Sequence, residues 1–254
     1  MKIAIAGATG VVGRHTVAAA EAAGHDVVPL SRSAGHDILD AAATVAALDD
    51  VEALIDVTSV ATIKEREAVE FFERGTRALL EAERLAGVPH HVALSIVGID
   101  DIDDGYYAGK LAQERVLAAE HGAVDWTVLR ATQFHEFAEQ TLVRATVGPV
   151  TVAPKALVRT VAAREVGARL AELAAAPAVG RATDLAGPEQ ASLADLMRRM
   201  LQHDGARRRL VEARLPGAFG RGMASGALAG EPDADRGTIT FDAWLDSPDH
   251  IRVI

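Results

Sequence analysis

The stretch Lys2-Ile3-Ala4-Ile5-Ala6-Gly7-Ala8-Thr9-Gly10-Val11-Val12-Gly13 decides the fold. Lys2–Ala6 is a short apolar run with isoleucines, as a buried strand requires, and Val12–Ala23 carries helical spacing. Glycines punctuate the join. The first permits a tight turn, the second lets backbone approach an anion with no Cβ in the way, and the third lets the helix pack close to the strand. The helix N-terminus then turns free N–H groups and the positive end of its dipole toward negative charge, such as the pyrophosphate of a dinucleotide. A purely structural glycine turn would show the same spacing, but it gives no reason for strand, glycines and helix to coincide.

Outward from this turn, apolar runs recur at Asp26–Leu30, Ala53–Val57, His91–Ile96 and Trp126–Leu129. Helical spacing fills the intervals at Ala42–Leu48, Glu65–Leu85 and Tyr106–Glu120. Gly24, Gly87 with Pro89 just beyond it, and Gly122 stand where left-handed caps close helices. Strands alternating with helices demand right-handed crossovers. The expected architecture is therefore α/β, a doubly wound parallel sheet with helices on both faces and ligands at the C-terminal ends of the strands. After Gly148-Pro149 the pattern loosens into a strand at Pro149–Ala153 and helices at Arg164–Ala175 and Leu193–His203. A glycine-rich run then covers Gly217–Gly230, either a moving lid or a static surface loop, and Phe241–Leu245 reads as apolar anchorage. This divides the chain into a nucleotide-binding core over 1–148 and a smaller substrate-side lobe over 149–254, packed as one unit, with no internal repeat.

Composition narrows the classes of partner. Over 254 residues, 49% are hydrophobic and 24% charged, so a sizeable core can be buried. Acidic residues outnumber basic ones by 36 to 26, and a net charge of -10 repels phosphate backbones and anionic lipid, so neither nucleic acid nor a membrane surface is expected. The local exception, Arg207-Arg208-Arg209, reads as a solvated basic turn. The absence of cysteine excludes disulfides and thiol chemistry. Met1-Lys2 leads straight into the first strand and no apolar run reaches a membrane-spanning length, so a cytoplasmic protein is expected.

The segment after the second strand selects the cofactor. Where an acidic residue would hold ribose hydroxyls, the chain reads Leu30-Ser31-Arg32-Ser33, with hydroxyls and a guanidinium suited to a 2′-phosphate. NADP(H) is expected over NAD, unless Arg32 is merely solvated. Asp37, Ile38 and Asp40 lie where the third strand of such a fold should end, beside adenine, although ordinary loop carboxylates would look the same. Thr58 and Ser59, just past Ala53–Val57, fall on the nicotinamide side. The expected cofactor-binding set is Gly7, Thr9, Gly10, Val11, Val12, Gly13, Ser31, Arg32, Asp37, Ile38, Thr58, Ser59 and Lys110.

In Tyr106-Tyr107-Ala108-Gly109-Lys110, Tyr106 and Lys110 are spaced to share a helix face. A tyrosine is a poor acid or base at neutral pH, and a neighbouring ammonium favours its ionised form. Ser95, at the end of His91–Ile96, is placed to hydrogen-bond the same substrate oxygen. Alone, Tyr-x-x-x-Lys is common on amphipathic helices with a solvated lysine; after a phosphate-binding turn and a strand-end serine it reads as chemistry.

Taken together, Gly7-Ala8-Thr9-Gly10-x-x-Gly13, Ser31-Arg32, Ser95, Tyr106-x-x-x-Lys110 and Leu129-Arg130-x-x-x-Phe134 resemble the atypical short-chain dehydrogenase/reductases, in particular the NmrA-like NAD(P)-binding branch. The resemblance spans most of the chain. It implies a Rossmann fold with NADP in the glycine turn and hydride transfer to or from a small carbonyl or quinone-like substrate. Residue by residue, it makes Tyr106 the proton donor or acceptor, Lys110 the ligand of the nicotinamide ribose that lowers the tyrosine pKa, and Ser95 the residue that orients the carbonyl. Two features depart from the family's pattern: Arg130-Ala131-Thr132-Gln133-Phe134 lacks the usual proline, and Ser95-Ile96-Val97-Gly98 is not a double serine. The branch also includes binding-only redox sensors that act through a protein partner, which is the second functional expectation.

Thr132, Phe134 and His135 follow Trp126–Leu129 where substrate should lie, with a structural histidine as the alternative. His90-His91 and His135-Glu136 lack metal-ligand spacing, so no metal is expected. Asp100, Asp101, Asp103 and Asp104 read as a solvated acidic loop. The long helices leave pairing into a homo-oligomer open.

Overall fold

The computed structural model describes residues 1–102, 105–120, 122 and 124–252, with the side chains of Ala34, Ala218 and Phe219 left aside. The chain forms two compact units that interleave along the sequence. One comprises Met1–Ser95, Asp104–Arg130 and Ala163–Thr183; the other comprises Ile96–Asp103, Ala131–Ala162 and Asp184–Ile254. The single division expected at 148/149 is therefore not how the contacts fall. Asp103 and Asp104 of the acidic loop lie outside the described residues.

The first unit is built on parallel strands β1 (Lys2–Ala6), β2 (Asp26–Leu30), β3 (Ala53–Asp56), β4 (His90–Ile96) and β5 (Asp125–Ala131), in the spatial order β2-β1-β3-β4-β5. Its helices are α1 (Gly13–Ala22), α2 (Ala41–Ala47), α3 (Glu65–Ala86) and α4 (Gly105–Ala118). This is the mostly parallel, doubly wound, Rossmann-like sheet expected. Strand order reverses between β1 and β3, and in open α/β sheets the crevice outside the strand ends at such a reversal is where ligands bind.

Alternation along the strands sorts the two faces. Ala4, Ala6, Leu54, Leu79 of α3 and Leu48 form one buried cluster, with Ile38 packed at its margin. In register with Ala4 and Ala6 stand Leu54 and Asp56, and beside these His91 and Ala93, so the α3 face carries Asp56 into the core.

The third strand expected to end near Asp37 is not formed. After β2 the chain makes a short 3-10 turn at Arg32–Ala34 and runs into α2. Local hydrogen bonds decide this: the Asp37 carboxylate accepts from Leu39 N at 3.0 Å, and Asp40 caps α2 by accepting from Ala43 N at 3.1 Å.

In the second unit, α5 (Glu136–Arg144) leads to β6 (Thr146–Val147), β7 (Val150–Pro154) and β8 (Leu157–Val158). The helix α6 (Ala163–Ala174) and strand β9 (Gly180–Arg181) belong to the first unit, because α6 packs on α1 and β9 pairs with β5. The second unit resumes with β10 (Leu185–Ala186), β11 (Ala191–Ser192), α7 (Leu193–His203), β12 (Arg209–Ala213), α8 (Gly217–Ser225), β13 (Asp235–Arg236) and α9 (Phe241–Leu245). Strand β12 lies parallel to β7, and β11 is antiparallel to β8.

The glycine-rich run expected as lid or loop is a helix followed by a 3-10 turn at Ala227–Ala229. Two of its glycines are closely packed: a Cβ on Gly220 would collide with the Leu215 carbonyl, and one on Gly222 with the Ile102 side chain. The apolar anchor forms as expected, with Trp244 fully buried in α9.

Candidate active site

The glycine turn lies between the ends of β1 and β3. Gly7 adopts φ +86°, a left-handed conformation that glycine takes without a steric penalty, and its N–H donates to Leu30 O at 2.9 Å. A Cβ there would lie 2.7 Å from Val57 O, so the turn is pressed against the residues following β3. Gly10 N donates back to Gly7 O at 2.9 Å, closing the turn. A Cβ on Gly13 would overlap Gly7 O and come 2.8 Å from the Ala8 carbonyl carbon, so α1 sits directly on the turn. Among the described residues, the N–H groups of Thr9, Val11, Val12 and Gly13 make no backbone hydrogen bond, and Thr9 and Gly10 are exposed. This is an anion cradle of unspent donors.

The loop after β2 folds against the same turn. Ser31 and Ser33 share a hydroxyl hydrogen bond of 3.1 Å, and Ser33 Oγ reaches Thr9 Oγ1 at 3.4 Å. Arg32 between them is exposed. Of the residues expected near adenine, Asp37 and Asp40 are exposed and engaged in local backbone bonds, while Ile38 packs on the core margin.

Past β3, Ser59 Oγ and Tyr106 Oη share a hydrogen bond of 2.9 Å, and the Tyr106 ring stands edge-on to Phe72 with centroids 5.4 Å apart. Burial raises the Tyr106 pKa above its ordinary value; the Ser59 hydrogen bond opposes this, and the Asp56 charge adds to the rise. At neutral pH the residue is therefore a neutral phenol.

Lys110 makes its hydrogen bonds on groups other than the phenol. Its ammonium is buried, donating to Leu94 O and to Gln113 Oε1, each at 2.8 Å, and lies 4.3 Å from the centre of the Phe72 ring. Desolvation brings its pKa down to about 8 against the opposing charges of Asp56 and Glu114. The expected lowering of the tyrosine pKa by Lys110 is thus absent from this arrangement, because the ammonium finds better partners deeper in the sheet. Ser95 Oγ, at the end of β4, is buried with no hydrogen-bond partner among the described residues, a hydroxyl of the kind a ligand oxygen satisfies.

The structure adds residues that local spacing did not select. Asp56, fully buried at the end of β3, accepts from Thr58 N at 2.9 Å and Thr58 Oγ1 at 2.6 Å, and its second oxygen accepts from Gln113 Nε2 at 2.8 Å. Gln113 thus bridges the carboxylate and the Lys110 ammonium. A carboxylate ending an otherwise apolar strand was the available signal, since buried acids are retained only where they are paired. Arg130, at the far side of α4, forms a two-point pair with Glu114 at 2.8 and 2.7 Å.

Thr132, Phe134 and His135 belong to the second unit. Thr132 Oγ1 donates to Arg159 O at 2.6 Å, and Phe134 bridges to Val161. His135 is buried, with Nδ1 on Thr160 Oγ1 at 2.8 Å and Nε2 on Ile239 O at 3.1 Å, so both ring nitrogens are occupied by the fold. His91 is likewise committed, to the buried Glu83 at 2.9 Å, and His90 to Thr127.

Among solved structures, the chain is similar to an NADPH-dependent quinone oxidoreductase complexed with NADPH from Escherichia coli, at 19% identity over 91% of this chain and 92% of that one, TM-score 0.70. A nucleoside-diphosphate-sugar epimerase from Staphylococcus aureus aligns over 97% and 100% of the two chains at 14% identity, TM-score 0.73. A UDP-glucose 4-epimerase from Thermotoga maritima, with UDP-glucose, aligns over 93% and 88% at 15% identity, TM-score 0.67. No curated protein matches the sequence. The sequence profile of the NAD(P)H-binding family matches residues 7–177, from the first glycine of the turn to beyond α6. That match covers most of the chain and begins on the anion cradle itself, so the protein belongs to the NAD(P)H-binding family.

Proposed function

We propose that the protein is an NADPH-dependent reductase of the short-chain dehydrogenase/reductase type, on the NmrA-like branch, acting on a small carbonyl or quinone-like molecule. The observation that carries this reading is the continuity of the site: Gly7 presses on Val57 and Thr58, and the next residue, Ser59, holds the hydroxyl of a neutral Tyr106. The cradle fits a dinucleotide, since its amides are unspent and Thr9 and Gly10 stand exposed. The cofactor, when bound, supplies a hydride to the substrate carbonyl carbon. Tyr106 Oη gives its proton to the carbonyl oxygen, forming the alcohol, and exposed Ser59 passes a proton from water back to the phenolate. Ser95 Oγ hydrogen-bonds the same oxygen, while Lys110, held on Leu94 O and Gln113 Oε1, braces α4 beneath the site. A raised phenol pKa suits proton donation, and hence the reducing direction, better than proton abstraction. Following NADPH absorbance across aldehydes, ketones and quinones tests this; tight NADPH binding with no turnover on any of them would assign the chain a binding-only role.

Arg32 supports NADP(H) over NAD(H), being an exposed guanidinium on the loop that touches Thr9, with no acidic residue at the end of β2. A charge-assisted hydrogen bond contributes roughly 1.5–3 kcal/mol, so Arg32→Ala is expected to weaken NADPH binding at least about tenfold while leaving NADH within about twofold. Fluorescence titration with both cofactors checks this, and equal losses would remove Arg32 from the 2′-phosphate. Gly13→Ala forces α1 away from the turn. It is expected to cost about 1–3 kcal/mol of stability and to weaken both cofactors alike, as read by denaturant melts and the same titrations.

A further inference from the structure

We propose that His203, Asp204 and His250 form a binding site for a divalent transition-metal ion of the zinc type, separate from the nucleotide site. All three lie in the second unit. His203 ends α7, Asp204 follows as its cap, and His250 arrives 46 residues later, beyond α9. His203 Nδ1 and His250 Nε2 converge on one oxygen, Asp204 Oδ1, at 2.9 and 2.8 Å, and the three atoms lie within 4.8 Å of one another. A tetrahedral zinc with bonds of about 2.0–2.1 Å holds its ligand atoms roughly 3.3 Å apart, so an ion is admitted when the two imidazole–carboxylate separations open by about half an ångström and the imidazole nitrogens, within 4.8 Å of one another, draw together by up to about 1.5 Å. Two imidazoles and one carboxylate are a donor set that suits zinc and its neighbours, with a fourth position left for water.

The surroundings support a ligand rather than a chance cluster. His203 uses its other nitrogen, Nε2, on Asp246 Oδ1 at 3.2 Å, the way metal-bound histidines are oriented and made more basic by a carboxylate behind them. His250 is clamped between aromatic neighbours, its ring centre 4.8 Å from that of Trp244 and 5.5 Å from that of His203. Asp204 and His250 have side chains 1% exposed, whereas His203 is 25% exposed, which leaves an entry path on one side. Charge points the same way. Asp204 and Asp246 contact the imidazoles, and Glu139 of α5 senses both Asp204 and His250, so carboxylates outnumber the imidazoles they surround. A dication balances that excess, displacing the protons that otherwise bridge the pairs. Such an ion ties the C-terminal segment to the end of α7. Sequence spacing could not disclose it, because 46 residues separate His250 from Asp204.

The test uses the full chain without a polyhistidine tag, stripped with chelator, dialysed against micromolar ZnCl2 and assayed for zinc by mass spectrometry. One Zn2+ per chain is expected, lost in His203→Gln and in His250→Ala, with NADPH affinity serving as the folding control. Because His250 is buried, the quarter-exposed His203 provides the variant that keeps the fold. Zinc at about a hundredfold above its Kd is expected to raise the thermal midpoint of the native chain by roughly 5–10 °C, and that of His203→Gln by far less. Less than about a tenth of an equivalent of zinc, or stoichiometric zinc that survives His203→Gln, would overturn the site and leave a proton-bridged His-Asp-His clamp.

Discussion

Tyr106→Phe is expected to lower kcat for carbonyl reduction by about 10²–10⁴-fold while leaving NADPH affinity within roughly twofold, because a positioned general acid contributes on that scale. The variant removes one oxygen, whose partner is Ser59 Oγ, and keeps the edge-on contact with Phe72. Folding should therefore be undisturbed. The pH profile carries the sharper test. An acid must hold its proton, so activity falls as pH rises through its pKa, and burial holds the Tyr106 pKa above its ordinary value. Reduction is expected to stay level from neutral pH to about pH 10 and to decline only beyond it. A decline centred near pH 7–8 in the wild type, absent in Tyr106→Phe, would show a lowered tyrosine and return Lys110 to the tuning role that its spacing suggested.

Lys110→Met is expected to abolish a pH-dependent gain in stability of about 3 kcal/mol. The folded-state pKa of Lys110 is depressed from 10.5 to about 8, and each unit is about 1.4 kcal/mol. Between those values the unfolded chain binds the proton and the folded chain does not, so stability rises with pH across roughly 8 to 10.5 and is lost as pH falls back through 8. Tyr106 opposes this above pH 10, since its folded pKa is raised, so the informative quantity is the difference between wild type and variant. Urea melts at pH 7.5, 9 and 10.5 measure it. A constant difference across that range would mean that the ammonium is not buried on Leu94 O and Gln113. The variant should also be less stable at every pH, because Leu94 O and Gln113 Oε1 lose a donor inside the sheet.

Local physics made part of this legible. Gly7, Gly10 and Gly13 could be read from sequence because each answers a constraint within a few residues: a positive φ, a turn closed by Gly10 N on Gly7 O, a helix seated on its own turn. The strands β1 to β5 were legible for a similar reason, being short apolar runs set between helices. Asp56 and Gln113 were not. Their roles arise from a register pairing Ala6 with Asp56 and from a side-chain bridge spanning 57 residues, which no local pattern records. The expectation of a strand ending near Asp37 failed for the opposite reason: Asp37 and Asp40 satisfied backbone donors next to themselves and turned the chain into a helix.

Residue order alone is enough to specify an anion cradle on a Rossmann-like sheet, since strand, glycine turn and helix N-terminus are contiguous and their conformations are set by Cβ sterics and backbone hydrogen bonding. The parts played by Tyr106 and Lys110 emerge only on packing. Helical spacing put them on one face, but burial raised the pKa of the phenol, and the carbonyl of Leu94, the amide of Gln113 and the ring of Phe72 drew the ammonium into the sheet. Competition among partners for a desolvated charge depends on groups far apart in the chain, and so is settled in three dimensions.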